Sequence, residues 1–246
     1  MRRIDSVQTP FQRVEVWRSA TTTEFRVAGA IHAWHHRQRL LSGLAWDLIA
    51  AGCLLTRPQP PRSILMLGLA GGTSCRILRH LLPDCHITAL EIDSHLLALA
   101  RSHMDLDALD IEIISGDAYP WLASNRRRFD VVFDDIYLAG EHDVFRPRSW
   151  DRQLLGSVRR AVAPGGLFGL NLVIGKGHRA MQSKTRRMLE QSFPAVRSLR
   201  TPGTCNEVLM AGDAVATRRQ LRAFRPAFGQ WRDADYWDLI TVRTLR

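Results

Sequence analysis

Lysine is almost missing from this chain: among 34 basic residues only Lys176 and Lys184 are lysines, and all the others are arginine. Set against 24 acidic residues they leave a net charge of +10, which favours anionic partners through its long-range field without defining a site. The clusters Arg126-Arg127-Arg128, Arg159-Arg160, Arg186-Arg187 and Arg218-Arg219 fall in separate segments with no interleaved aromatics. They read as solvated faces in preference to a nucleic-acid site. Cysteine is scarce as well. Cys53, Cys75, Cys85 and Cys205 form no C-x-x-C pair and have no histidine at ligand spacing, so neither a disulfide framework nor a zinc site is signalled, and no metal is expected. Long apolar runs are lacking: nothing approaches the roughly eighteen residues of a membrane span. The polar residues after Met1-Arg2-Arg3 do not resemble a secretory leader, so the expectations are no membrane partner and a cytoplasmic location. What remains is an ordinary globular composition, 46% hydrophobic and 24% charged, in a chain long enough for one large α/β domain and a small extension.

Two short alternating runs, Val14-Glu15-Val16-Trp17 and Phe25-Arg26-Val27, flank the polar residues 19–24 and predict an amino-terminal hairpin. Apolar residues at helical spacing predict a helix over 36–55, and Pro58, Pro60 and Pro61 then mark the entry to the main domain. The expected units are therefore 1–60, hairpin and helix, and 61–246, the main domain. Within the latter, short apolar runs alternate with amphipathic stretches, as in strands and helices wound around a parallel sheet. Strands are predicted at 63–67, 86–91, 111–115, 130–134 and 167–174, with helices at 73–82, 94–103, 119–124, 150–162 and 179–192. Two further strands, 196–199 and 207–210, are joined by too few residues for a helical crossover, so they pair antiparallel. The expectation is a seven-stranded, mostly parallel sheet with one antiparallel strand. The tail from Thr217, bearing Phe224, Phe228, Trp231, Tyr236 and Trp237, reads as a packed segment.

The loop Gly68-Leu69-Ala70-Gly71-Gly72 lies between a strand and a helix, where glycines let backbone approach a ligand and the helix start offers free N–H groups. Glycines also serve tight packing, so the loop alone is a weak signal. Glu91 strengthens it: about twenty residues further on, at the end of the next strand, an acid can accept both ribose hydroxyls of a nucleoside. Asp117, just past the third strand, places a carboxylate near an adenine. Each lies at the carboxyl end of its strand, where open α/β sheets bind ligands. The pair Asp93-Ser94 starts the intervening helix.

The ordered segments 64–73, Ala89-Leu90-Glu91-Ile92-Asp93, Gly116-Asp117-Ala118 and Phe129-Asp130-Val131-Val132-Phe133-Asp134-Asp135 resemble those of the spermidine synthase family, over about residues 60–212. The resemblance implies a Rossmann-like methyltransferase fold and an S-adenosyl sulfonium donor, either S-adenosylmethionine or its decarboxylated form. It implies that Gly68, Leu69, Ala70, Gly71, Gly72, Glu91, Ile92, Asp117, Ala118 and Asp134 lie at the donor site, with Asp135 as catalytic base. Asp134 and Asp135 point to opposite faces of an extended strand, so only one can face the pocket. His32 falls near a donor-contacting position of the family, and a homodimer is a family expectation.

Two departures bear on the group transferred. The family carries an aspartate in the glycine loop and another three residues after the catalytic one; here stand Leu69-Ala70-Gly71-Gly72 and Leu138. Methyl transfer to a small amine or similar acceptor is therefore the first reading. Aminopropyl transfer to a polyamine is the second, and a non-catalytic nucleoside- or nucleic-acid-binding protein the third. Glu141-His142-Asp143 is read either as an acidic mouth or as solvated loop charge. Tyr137 and Trp150 are read first as packing residues and second as covers for an acceptor. His35 and His36 would diverge on a helix, which argues against a metal.

Overall fold

The computed structural model describes residues 1–140, 144–175 and 177–246. The chain begins with four antiparallel strands, β1 (Arg2–Gln8), β2 (Arg13–Arg18), β3 (Thr22–Val27) and β4 (Ala30–His36), paired in that order. The expected hairpin is present as β2 and β3, and β1 and β4 extend it into a four-stranded sheet. Only its inner strands show the alternation that makes a strand legible, burying Val14 and Val16 on β2 and Phe25 and Val27 on β3. β1 buries no residue completely, and a register shift at Phe25/Arg26 breaks the pattern where β4 pairs.

The helix expected over 36–55 is also corrected. His36 ends a strand, and α1 spans only Ala45–Cys53. Between them the backbone is held by carboxylates. The N–H groups of Leu40 and Leu41 donate to Asp233, at 2.7 and 3.1 Å, and those of Ser42 and Gly43 donate to Asp47, at 3.0 and 2.7 Å. Carboxylates, one remote in sequence and one local, thus satisfy groups that a helix would have paired internally.

The main domain follows as β5 (Ser63–Leu67), α2 (Thr73–Leu81), β6 (His86–Glu91), α3 (Ser94–His103), β7 (Glu112–Ser115), α4 (Ala118–Ser124) and β8 (Phe129–Asp134). A two-stranded ribbon, β9 (Leu138–Ala139) with β10 (Val144–Phe145), precedes α5 (Arg152–Ala161), β11 (Val162–Val173) and α6 (Arg179–Ser192). The chain ends with β12 (Ala195–Arg200), β13 (Asn206–Gly212), α7 (Arg218–Leu221), α8 (Trp231–Asp238) and β14 (Thr241–Thr244).

The main sheet has eight strands, in the order β14-β12-β13-β11-β8-β5-β6-β7. This corrects the expected seven: the tail supplies an edge strand, antiparallel to β12. Four residues, Thr-Val-Arg-Thr, carry no apolar run, so the strand exists through its ladder to β12 rather than its own pattern. β13 is antiparallel to both neighbours, as its short link to β12 required.

Both faces of the sheet are covered. On β5, Ile64 and Met66 join the cluster with α1, α2 and α3, while Leu65 and Leu67 join that with α4, α5 and α6; this is the period-two alternation of a doubly buried strand. Val14 and Phe25 of the amino-terminal sheet belong to the first cluster, so residues 1–60 share a core with the rest.

Candidate functional site

The carboxyl ends of β5, β6, β7, β8 and β11 open on a cavity of about 710 Å³. Gly68, Leu69, Ala70, Glu91, Ile92, Asp117, Ala118 and Asp135 all line it. Gly71 and Gly72 are buried just behind it. Their lack of a side chain serves packing: a Cβ on Gly71 would lie 2.3 Å from the Met104 sulfur and 2.5 Å from the Ala33 Cβ. Gly68 serves close approach, since φ is +91° and a Cβ there would meet the Asp135 carbonyl oxygen at 2.5 Å. The loop and the end of β8 can therefore touch only through glycine.

Glu91 holds this loop in place. One carboxylate oxygen accepts from the N–H groups of Leu69 (3.1 Å) and Ala70 (2.9 Å), and the other accepts from Asp93 N–H at 3.1 Å. A carboxylate has about four acceptor positions, so three bonds leave room for one from a ligand hydroxyl. Asp93 caps α3 by accepting from the N–H groups of His95 and Leu96, and Asp117 caps α4 by accepting from Tyr119 N–H at 2.9 Å. The capping bond uses one Asp117 oxygen and leaves the other for a ligand. An adenosine with its ribose toward Glu91 and its base toward Asp117 fits these donors and acceptors.

Asp134 and Asp135 separate as strand geometry requires. Asp134 is turned away from the cavity into a buried two-pronged pair with Arg146, at 2.9 and 2.8 Å. The Arg146 guanidinium lies between the rings of Tyr137 and Trp150, 5.6 and 5.4 Å from their centroids. Asp134 therefore braces the site without facing a ligand. Asp135 faces the cavity, and burial pushes its carboxyl up to about 7; the bond from Asn171 and the Arg146 charge pull it down, while Asp134 and Glu91 push it up. A carboxyl group titrating near neutrality in a cleft can take a proton at working pH.

Asn171, Asn206 and Thr204 were not legible as site residues. Asn171 donates to Asp135 at 2.7 Å and accepts from Asn206 at 3.0 Å, while Asn206 accepts from the Thr204 hydroxyl at 2.5 Å. One signal was present: Asn171 is a lone amide inside the apolar run of β11, where a buried polar group needs a partner. Tyr137 lines the cavity, donating to Asn171 O at 3.0 Å. Trp150 is a packing residue, edge-on to Phe168 at 5.2 Å. His32 lines the cavity, and burial lowers its pKa. Gln12, unmarked in the sequence, lines it too and accepts from Ala139 N–H at 3.3 Å. Glu141-His142-Asp143 lies outside the described residues. Among those described, no group of three or more His, Cys, Asp or Glu side chains has the geometry of a metal site.

A doubly wound sheet with acids at successive strand ends defines a Rossmann-like nucleoside-binding class. Comparison with known proteins narrows it. Residues 64–166 match the family model described as a methyltransferase domain. The chain is 29% identical over 175 residues to a probable polyamine aminopropyl transferase of Bifidobacterium longum, covering 70% of this chain and 38% of that protein. It is 28% identical over 171 residues to an eEF1A lysine and N-terminal methyltransferase homolog of Drosophila melanogaster, covering 63% and 25%. The chain thus spans well under half of either relative. A crystal structure of spermidine synthase in complex with the transition state analogue AdoDATO superposes with a TM-score of 0.72 at 15% identity, covering 91% of this chain and 79% of that one. Residues 64–166 thus carry a methyltransferase domain, and the chain is similar to polyamine aminopropyl transferases and to lysine methyltransferases in sequence and to spermidine synthase in fold.

Proposed function

We propose that this protein is a transferase that moves a methyl group from S-adenosylmethionine to a small amine or similar acceptor, with Asp135 as the base. When bound, the donor supplies a carbon activated by its sulfonium: the acceptor lone pair forms the new bond as the carbon–sulfur pair leaves with sulfur. Glu91 holds the ribose, Asp117 faces the adenine, and Ile92 and Ala118 flank the base. Asp135 accepts the proton that the acceptor nitrogen sheds, and Asn171 orients that carboxylate toward the cavity. Holding nucleophile and carbon in line supplies much of the rate.

The observation that favours methyl over aminopropyl transfer is the state of the carboxylates beside the glycine loop. Glu91 already carries three backbone donors, Asp93 caps a helix, and Leu69 and Ala70 offer no charge. An aminopropyl ammonium would find no carboxylate on the loop itself and, beside it, only the second oxygen of Asp93. The aminopropyl reading keeps the support of the Bifidobacterium relative's name, whereas that of the Drosophila relative points to amine methylation.

Incubation with each donor and a panel of amines, with the nucleoside product identified by mass, decides between them. S-adenosylhomocysteine is expected; methylthioadenosine would establish aminopropyl transfer instead. For the donor site, titration calorimetry with S-adenosylhomocysteine is expected to show at least about tenfold weaker binding by Glu91→Gln than by wild type, from loss of a charged hydrogen bond. Equal binding would remove Glu91 from the ribose.

A further inference from the structure

The cavity spans two halves of the sheet. The donor reading uses β5, β6 and β7, leaving the half beneath β8, β11 and β13 together with the amino-terminal sheet and the start of α1 for the acceptor. That second half is apolar. Phe11, Leu44, Trp46, Leu138, Val144 and Val173 line it. Its polar groups are largely spoken for: Asn171 and Asn206 are bonded to each other, Asn171 to Asp135, and Gln12 to the β9 backbone.

Among the described residues, the carboxylates lining the whole cavity are Glu91, Asp93, Asp117 and Asp135. The first three lie at the ends of β6 and β7, in the donor half, where Glu91 holds the loop and Asp93 and Asp117 each cap a helix through one oxygen. Among the described residues, Asp135 alone lies in the acceptor half. A cation taken from water into such a place must be paired or must lose its charge. One carboxylate can pair with one ammonium or receive one proton; a second ammonium on the same acceptor would rest against leucine, valine and tryptophan.

We infer that the acceptor is a small monoamine on an apolar, aromatic or branched-aliphatic body, and not a polyamine. The inference rests on the donor reading above. The body packs against Trp46, Leu44, Leu138 and Val144 while its single nitrogen meets Asp135. The bound ammonium gives one proton to Asp135, and the freed lone pair takes the methyl carbon as the carbon–sulfur pair leaves with sulfur, so the products are a secondary ammonium and a neutral thioether beside a protonated Asp135. Among the described residues, Asp135 is the one carboxylate this half holds for an acceptor, and the acceptor brings one charge to match it.

Phenethylamine and 1,4-diaminobutane are suitable probes of the full-length chain. Donor binding is established first, by titration with S-adenosylhomocysteine; absence of binding overturns the donor reading itself. With the nucleoside bound, phenethylamine is expected to bind at least tenfold more tightly than the diamine, and with S-adenosylmethionine it is expected to be methylated at least tenfold faster. Leu138→Asp is expected to narrow both ratios by supplying a second carboxylate while leaving nucleoside affinity unchanged. A diamine that binds as well as phenethylamine, or is the better substrate with either donor, overturns the inference. So does failure of both amines to bind a protein that holds the nucleoside.

Discussion

At the residue scale the decisive pair is Asp134 and Asp135, neighbours in sequence and opposites in role. Strand geometry sends one carboxylate under the sheet to Arg146 and the other into the cavity, where burial pushes it up to about 7. In the proposed role of base Asp135 must be ionised, so kcat/KM is expected to rise with pH through about 7 and level off above it. Asp135→Asn is expected to lower kcat/KM by about 10²–10⁴-fold, the usual scale of general-base catalysis, and to abolish that rise. Asn171 stabilises the ionised form by donating to it; Asn171→Ala is therefore expected to move the rising limb to higher pH. A limb that stays in place would show that Asn171 does not set the state of Asp135. The same raised value has a cost in stability. Between about 4, the value in the unfolded chain, and about 7 the folded protein binds more protons than the unfolded one, so stability from this group, full at low pH, is lost as pH rises through about 7.

At the scale of elements, the segment carrying Arg146 to the back of β8 joins the cavity rim to the core. Both side chains of the Arg146–Asp134 pair are only 1% exposed. Arg146→Ala strands a buried carboxylate and is expected to destabilise the fold by about 3–5 kcal/mol, whereas the double variant Asp134→Leu/Arg146→Met, which removes both charges, is expected to lie closer to wild type. Urea unfolding of the three proteins measures this. A single variant as stable as wild type would mean that water reaches the pair. Arg146 was not legible in the sequence because an arginine beyond a strand looks like any other of a basic surface. Its role depends on Asp134, Tyr137 and Trp150 converging on it. β5, β6 and β8 were legible because each is a mostly apolar run closed by a glycine or an acid. β1, β4 and β14 were not, because their residues do not alternate and, apart from Ala33 and Trp34 on β4, are not buried, and their strandhood comes from a neighbour's free edge.

For the molecule as a whole, much of the arginine excess is occupied. Arg127 pairs with Glu112 at 2.7 and 2.9 Å, and Arg186 and Arg200 both face the fully buried Glu207. Burial alone would raise Glu207, but bonds from Arg186, Ser198 and Gln182 together hold it below the usual carboxylate range. The clusters read as solvated faces are thus partly structural. Cysteine offers a probe of the cavity. Cys53, Cys75 and Cys85 are buried, while Cys205 is exposed and lines the cavity beside Asn206. A maleimide is expected to label the folded protein once, at Cys205, and the unfolded protein four times. Labelling is expected to suppress amine transfer while leaving S-adenosylhomocysteine binding in place. Peptide mapping by mass checks the first expectation and calorimetry the second; loss of nucleoside binding on labelling would mean that the two halves of the cavity are not independent.

The glycine loop, Glu91, Asp117 and the acidic end of β8 were determined by sequence alone, since each is local: a strand, a turn and an acid at fixed offsets along one chain. The tertiary structure decided which of two adjacent aspartates faces the cavity, that Glu91 spends three of its acceptor positions on the loop it follows, and that Asn171 donates to Asp135. It also gathered Phe11, Leu44, Trp46, Leu138, Val144 and Val173 on one side of that cavity. Those properties arise where residues far apart in the chain meet, and a sequence pattern records spacing along the backbone but not the partner that burial brings.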